Sequence, residues 1–124
     1  MNQLSDFIPH ELGMLSSLTY LELSANNLMS SIPTSLGNLT NLTILYLYVN
    51  QLSGSIPQEL GMLRSLIQLD LSSNNLTGSI PTSFGNLTNL TNLSLRENHL
   101  YNSIPQEIGL LSSLSFLHYH QIIS

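Results

Sequence analysis

The stretch "SNNLTGSIPTSFGNLTNL" at residues 73–90 has a close relative, "ANNLMSSIPTSLGNLTNL", at residues 25–42, which is 73 − 25 = 48 positions earlier. A looser relative, "VNQLSGSIPQELGMLRSL", begins at residue 49, halfway between them. Tandem units with a period of about 20–50 residues are typical of a solenoid, in which each unit stacks on its neighbours. We therefore predict that residues 1–124 form a single array. Its parts are a partial repeat at 1–17, full repeats at 18–41, 42–65, 66–89 and 90–113, and an incomplete repeat at 114–124.

Each unit begins with a strand pattern and continues with a turn pattern. In "LTYLEL", Leu21 and Leu23 point to one side while Tyr20 and Glu22 point to the other, which is typical of a half-buried strand. The segments "PTSLG" and "PQELG" predict a short helical or 3₁₀ turn that starts at the proline. We expect a glycine to close each turn at its carboxyl end. These glycines are Gly37, Gly61, Gly85 and Gly109.

The predicted fold class is an α/β repeat solenoid. The chain would form a right-handed coil with one parallel strand per repeat on the concave face and short 3₁₀ or irregular turns on the convex face. One unit alone buries too little apolar surface to offset the entropy of ordering its backbone. Stacked coils would instead share one continuous core of leucine.

An asparagine recurs at the bend that follows each strand. A short amide turned inward at a bend both donates and accepts hydrogen bonds, so it satisfies backbone groups that leucine could not. The regular spacing favours this structural role over that of a solvated turn residue. The predicted asparagine ladder consists of Asn2, Asn26, Asn50, Asn74 and Asn98.

Composition excludes several classes of function. Only 7% of the residues are charged, the net charge is −5, and Arg64 and Arg96 are the only Lys or Arg residues. Nucleic-acid binding needs clustered cations, so we expect no nucleic-acid partner. No apolar run is long enough to span a bilayer, so we expect no membrane insertion by this segment.

Motifs for catalysis are also missing from the sequence. It contains no P-loop, no HExxH, no GxSxG and no cysteine. His118 and His120 share one side of a predicted strand, but two imidazoles without a third ligand are weak evidence for a metal site. We therefore predict a protein that is not an enzyme and that holds no cofactor or metal.

The consensus LxxLxLxxNxLxGxIPxxLGxL resembles the plant-type, 24-residue leucine-rich repeat. Gly54 and Gly78 match the glycine of its LxGxIP segment, whereas Ser30 and Asn102 depart from it. This repeat is found in ectodomains of plant receptor-like kinases and receptor-like proteins, and in polygalacturonase inhibitors. The alternation of repeats that gives the closer match at 48 residues resembles a subgroup of receptor kinases whose ectodomains grew by copying pairs of repeats.

The resemblance implies an extracellular recognition module at the outer face of the plasma membrane, with a role in growth or defence signalling. The resemblance implies a peptide or protein ligand as its partner, with a co-receptor ectodomain as a further partner. Such receptors carry a signal peptide, cysteine-bearing caps, a membrane span and a kinase domain, and we expect this chain to be a fragment of one.

Positions on the concave side of each strand are free of the demands of the core, so they are the candidate ligand contacts. Tyrosines interleaved with charges suit a peptide- or protein-binding surface. We predict an aromatic patch with acidic neighbours towards the early coils and a polar, partly basic patch, which includes His120, later. The predicted ligand-binding residues are Tyr20, Glu22, Tyr46, Tyr48, Asp70, Arg96 and His118.

Asn-x-Ser/Thr sequons suit a secreted glycoprotein. A glycan at Asn92 would lie on the proposed binding face, which counts against its use. The remaining candidates for N-glycosylation are Asn38, Asn41, Asn75, Asn86 and Asn89.

Two other functions are open alternatives. One is inhibition of a secreted hydrolase, as in polygalacturonase inhibitors, for which Glu22 and Asp70 are thin support. The other is ice binding, which needs a regular, neutral array of threonine or serine. Such an array is interrupted here, because Thr34 and Thr82 alternate with glutamine and Glu59 stands in the adjacent column.

Overall fold

The structure, a computed structural model, describes residues 6–101 and 103–119. Its main element is a five-stranded parallel sheet in which the strands follow one another in chain order, one per coil. The prediction of a solenoid with one parallel strand per repeat is confirmed. The strands of this sheet are β1 (Tyr20–Glu22), β3 (Ile44–Tyr46), β5 (Gln68–Asp70), β7 (Asn92–Ser94) and β8 (Phe116–His118).

A short 3₁₀ turn lies on the opposite wall of each coil, as predicted for the convex face. Each turn follows a proline with extended backbone, such as Pro33 with φ −65° and ψ 136°, so the proline precedes the turn and is not its first residue. We call this surface the 3₁₀ wall. Its turns are His10–Met14, Thr34–Asn38, Gln58–Met62, Thr82–Asn86 and Gln106–Leu110.

The core between sheet and wall is almost entirely aliphatic. Leu45 of β3 and Leu60 of the 3₁₀ wall are fully buried, and Phe84 takes the place of leucine in the next turn without exposure. Burial of this kind contributes about 1.5–3 kcal/mol for each large apolar side chain. Because each coil is covered by its neighbours, the stack supplies the stability that one unit lacks.

A second parallel sheet, which the sequence analysis did not predict, lies just after the bend. It consists of β2 (Met29–Ser30), β4 (Gln51–Ser55) and β6 (Asn75–Thr77). Leu52 and Leu76 are buried between exposed neighbours, so the alternation that indicates a strand was present in the sequence. Gly54 follows in the left-handed region, with φ 77°, where an L side chain is strained.

The four asparagines at the bends form a buried column, with at most 9% of any one residue exposed. The Asn50 amide Nδ2 donates to the carbonyl oxygens of Leu47 in its own coil (3.0 Å) and Leu23 in the coil before (3.0 Å). Its Oδ1 accepts from the backbone N–H groups of Asn26 (3.0 Å) and Leu28 (2.9 Å). The Asn50 amide therefore binds two coils together. Asn74 and Asn98 likewise donate to carbonyl oxygens of their own coil and of the coil before, and accept from the N–H groups of Leu52 and Leu76. Asn26 Nδ2 donates to the Ser24 carbonyl oxygen of its own coil, and Asn2 lies outside the described residues.

The glycines of the 3₁₀ wall do not close the turns, so that prediction was wrong. Gly37 lies inside the turn Thr34–Asn38, the cap is Leu39, and Gly54 and Gly78 are the glycines with positive φ among the described residues. A Cβ on Gly37 would lie 2.4 Å from the carbonyl oxygen of Glu59 in the next coil. Glycine is needed here because successive turns approach too closely for any side chain.

At every second junction between neighbouring coils, extra side-chain hydrogen bonds form on the side of the 3₁₀ wall. Ser83 Oγ, in the turn Thr82–Asn86, donates to the Gln58 carbonyl oxygen (2.7 Å). Asn89 Nδ2, which follows the turn, donates to the carbonyl oxygen of Arg64 (3.1 Å). Ser35 and Asn41 repeat these bonds two coils earlier, to His10 and Ser16. In the intervening coils the same positions hold Glu59, Ser65, Glu107 and Ser113, which make no such bond within residues 6–101 and 103–119. These extra bonds thus recur at every second junction between coils, which matches the 48-residue period.

In the part of the chain that the structure describes, no helix has the length and apolar character needed to cross a bilayer.

Replacement of Gly37 by alanine should destabilise the chain by about 3 kcal/mol, because the new Cβ meets backbone of the next coil and not a flexible side-chain end. The matched control is Gly109→Ala, where no heavy atom lies within 4 Å of the new Cβ. We expect it to stay within about 0.5 kcal/mol of wild type in urea unfolding. Equal losses in the two variants would contradict the close-approach explanation.

Replacement of Asn74 by alanine should lower the free energy of unfolding by about 2–4 kcal/mol, since it leaves the buried Leu52 N–H and the Leu47 and Leu71 carbonyl oxygens without these bonds. The adjacent Asn75 is exposed, so Asn75→Ala is the control and should change stability by about 0.5 kcal/mol or less. Urea unfolding monitored by circular dichroism compares the two. A small effect at Asn74 would show that the column is incidental to stability.

Candidate functional site

The outward side chains of the five-stranded sheet form a surface that we call the strand face. Strand register places Tyr20, Ile44 and Gln68 in one column, continued by Asn92 and Phe116. A second column consists of Glu22, Tyr46, Asp70, Ser94 and His118. The backbone bond from Val49 N to Ser72 O carries the same stacking into a third column, which holds Ser24, Tyr48, Ser72 and Arg96.

Three tyrosines form a contiguous cluster on the strand face. The rings of Tyr20 and Tyr46 meet edge to face, with centroids 6.2 Å apart and planes at 88°. Tyr46 and Tyr48 are 5.7 Å apart at 62°. The Tyr46 hydroxyl donates a hydrogen bond to Gln68 Oε1 in the next coil. Edge-to-face contacts of this kind stabilise the three rings against one another. We call this cluster the tyrosine platform.

The acidic neighbours of the cluster are oriented by their own backbone. Asp70 Oδ1 accepts from the Ser72 N–H (2.9 Å) and from the Ser72 hydroxyl (2.6 Å). Glu22 Oε1 accepts from the Ser24 N–H (2.9 Å). In each case one carboxylate oxygen is held by these bonds, while the other makes no hydrogen bond among the described residues.

A groove of about 420 Å³ runs along the strand face and joins the two patches that the sequence analysis treated separately. Tyr46, Tyr48, Asp70, Arg96 and His118 all line it. Tyr20 and Glu22 do not line it and lie beyond its aromatic end. The structure therefore brings most of the predicted ligand-binding residues together in one depression.

Other groove residues were not nominated from the sequence. Gln68, Ser72, Asn92 and Ser94 are short or neutral side chains in the predicted columns, and they lacked a chemical signal of their own. Glu97 is a different case, because it follows the strand in the left-handed conformation, with φ 57°. The sequence contained a signal for this conformation. Ala25, Val49 and Ser73 also directly precede the buried asparagines, and they also have positive φ.

Beyond Asp70 the groove becomes polar and partly basic. Arg96 and His118 are exposed, and the His118 ring stacks on Phe116 with centroids 6.0 Å apart and planes at 8°. Within residues 6–101 and 103–119 neither of them forms an ion pair with a carboxylate. His120 lies outside the described residues. In that same part of the chain, no group of three or more His, Cys, Asp or Glu residues is arranged to hold a metal ion.

The environment of Tyr46 raises its pKa above the ordinary value of 10.0. Burial is the largest cause, followed by the neighbouring Tyr20 and Tyr48 and then by the carboxylates of Asp70 and Glu22. All of these disfavour a phenolate, so Tyr46 is neutral at physiological pH and remains a hydrogen-bond donor.

The sequon asparagines differ in what their amides do. Asn38, Asn75 and Asn86 are exposed, and their side chains make no hydrogen bond within residues 6–101 and 103–119. Asn41 and Asn89 are exposed too, but their Nδ2 groups donate to the carbonyl oxygens of the coil before. Asn92 is on the strand face and lines the groove.

Comparison with known families places this chain among repeat proteins. The model of the leucine rich repeat family matches residues 17–76 and 41–100, which together cover more than half of the chain.

Solved structures give the same result. The chain is similar to the leucine-rich-repeat ectodomain of the plant membrane receptor kinase GASSHO1/SCHENGEN3 from Arabidopsis thaliana, in complex with CASPARIAN STRIP INTEGRITY FACTOR 2. Identity is 43%, the TM-score is 0.90, and the match covers 95% of this chain and 15% of that one. It is also similar to the Arabidopsis receptor kinase HAESA in complex with the peptide hormone IDA and the co-receptor SERK1, at 38% identity and TM-score 0.86, over 95% of this chain and 20% of that one.

A plant ice-binding protein has the same architecture. Identity is 34% and the TM-score is 0.88, with 94% of this chain and 38% of that chain covered. The chain thus spans a fifth or less of the two receptor chains and under half of the ice-binding protein.

Phenolate absorbance offers a direct test of the Tyr46 environment. The difference between the titrations of wild type and Tyr46→Phe isolates Tyr46, and its midpoint should lie above pH 10.0. Because the folded-state pKa is raised, the stability that Tyr46 contributes is complete below the unfolded pKa and is lost as the pH rises through the folded value. A midpoint at or below 10.0 would mean that the ring is open to water and free of acidic influence.

Proposed function

The chain belongs to the leucine-rich repeat family, and on that premise we propose that its strand face binds an extended peptide, or an extended segment of a protein. The single observation that carries this proposal is the groove that joins the tyrosine platform to Arg96 and His118. Apart from the buried Leu69 and Leu93, its lining residues are not part of the core, so their chemistry is available for a partner.

The proposed site has the composition of a recognition surface. Tyrosine and arginine are the residues that most often dominate binding energy at protein interfaces, and both are present in the groove. The backbone edges of the inner strands are already paired, so a ligand would be bound through side chains and not by strand addition. A shallow, open groove of this kind suits an extended chain better than a compact small molecule.

We place this module in the extracellular part of a plant receptor-like kinase or receptor-like protein. The support is its likeness to receptor ectodomains solved with a peptide or protein partner and, for HAESA, with a co-receptor. Under the same proposal the chain is non-catalytic, needs no cofactor, and signals through partners that it holds. Any N-glycans would occupy Asn38, Asn75 and Asn86 ahead of Asn41 and Asn89, whose amides already bond between coils.

The surface favours neither of the two alternative functions, although a plant ice-binding protein shares the architecture. For ice binding, exposed Thr34 and Thr82 alternate with Gln58 along the 3₁₀ wall, and exposed Glu59 lies beside them, so the row is neither regular nor neutral. For hydrolase inhibition, Glu22 lies outside the groove, and the acids that line it are Asp70 and Glu97.

The test is a selection of peptides followed by loss of binding. Random linear peptides are selected on the immobilised 124-residue chain, and those retained are measured again on Tyr46→Ala/Tyr48→Ala. We expect binding to fall by roughly tenfold or more, which is the scale of interface hot spots.

The matched control for this test is Tyr101→Ala. Tyr101 is 56% exposed and lies outside the strand face, so its loss should leave binding unchanged. Circular dichroism of each variant verifies that the chain is folded. Binding that survives the double substitution in a folded chain would refute the groove as the site.

A further inference from the structure

The charges on the strand face are separated along the direction of stacking. Glu22 and Asp70 flank Tyr46 in one column, in the register Glu22, Tyr46, Asp70. Arg96 lies one coil beyond Asp70, in the neighbouring column. One end of the surface is therefore acidic and aromatic, while the other carries Arg96 with Glu97 beside it.

Neither acid at the aromatic end is neutralised. Within residues 6–101 and 103–119, Glu22 and Asp70 form no ion pair, and each has one carboxylate oxygen without a hydrogen bond. The other oxygen of each is bound to a backbone N–H, so the carboxylates keep their orientation. Two oriented carboxylates that form no ion pair among the described residues favour the binding of a cation from a partner molecule.

The tyrosine rings add an attraction of the same sign. A ring face carries partial negative charge, and an ammonium or guanidinium within about 6 Å of the ring centre is drawn to it. Glu22 and Asp70 lie on the strands to either side of Tyr46, and adjacent strands are about 4.8 Å apart. The rings of Tyr20 and Tyr48 pack against the Tyr46 ring. The raised pKa of Tyr46, which comes partly from Asp70 and Glu22, agrees with a negative potential at this spot.

Resting on the proposed function, we propose that the acidic and aromatic end of the strand face takes a basic side chain of the bound peptide, arginine or lysine. The cation sits over the tyrosine cluster between the free carboxylate oxygens of Glu22 and Asp70. A neutral or acidic side chain at this position is disfavoured, because it leaves both carboxylates uncompensated against the ligand. The far end of the groove, where Arg96 lies beside Glu97, lacks this excess of negative charge, so the basic side chain sets the orientation of the peptide along the groove.

Two synthetic pools of random linear peptides test the idea. They are identical except at one central position, which is arginine in the first pool and citrulline, its neutral analogue, in the second. On the immobilised chain, the arginine pool should be retained roughly three- to tenfold more than the citrulline pool. This preference should shrink as salt is added, because the site is only partly buried.

The decisive variant is Glu22→Gln/Asp70→Asn, which removes both charges while the amide oxygens still accept the bonds from Ser24 and Ser72. The matched control is Glu59→Gln/Glu107→Gln, which changes the net charge equally but on the 3₁₀ wall. We expect the arginine preference to vanish in the first variant and to persist in the second.

The outcomes separate this inference from the proposed function. Equal retention of the two pools, combined with loss of both on Tyr46→Ala/Tyr48→Ala, would overturn the cation site and leave the peptide groove standing. If both pools were retained on Tyr46→Ala/Tyr48→Ala as well as on wild type, the cation site and the peptide groove would both be overturned. Loss of the arginine preference in both charge variants would assign it to net charge, which also overturns the site.

Discussion

The amide of the buried asparagine is the interaction on which the rest of the structure depends. At each bend the backbone must turn inside the core, where unpaired N–H and C=O groups cost about 1–3 kcal/mol each. One side chain with two donors and an acceptor satisfies groups in its own coil and in the coil before. Since Asn74 repeats the bonds of Asn50, the same solution can be applied to coil after coil.

This regular spine is what leaves the strand face free for recognition. Leucines and asparagines meet the structural demands of the sheet, so the outward positions can vary without loss of the fold. Parallel register then turns variation along the sequence into columns in space, with Tyr46 beside Glu22 and Asp70, although they are 24 residues away along the chain. A groove lined by several coils is the direct consequence.

The 3₁₀ wall obeys a second constraint, which is close approach. Gly37 and Gly61 are there because the next turn lies within 2.4–2.6 Å of where a Cβ would be. Serine and asparagine in every second coil then add bonds to the coil before, so these extra bonds recur at every second junction. This alternation gives a physical basis for the close match at 48 residues, which the 24-residue fold alone does not require.

The sequence by itself determined the solenoid, the strand of each coil, the inward leucines and the columns of the strand face. The periodicity of the sequence indicates all of these features, because a repeated pattern of inward and outward side chains is compatible with few other folds. Only the tertiary structure decided why Gly37 is a glycine, that a second sheet follows the bend at Leu52, and that Tyr46 and Arg96 share one groove while Tyr20 lies outside it. These features depend on distances between coils. Such distances arise from stacking and bonding between segments far apart in the chain, and no single repeat encodes them.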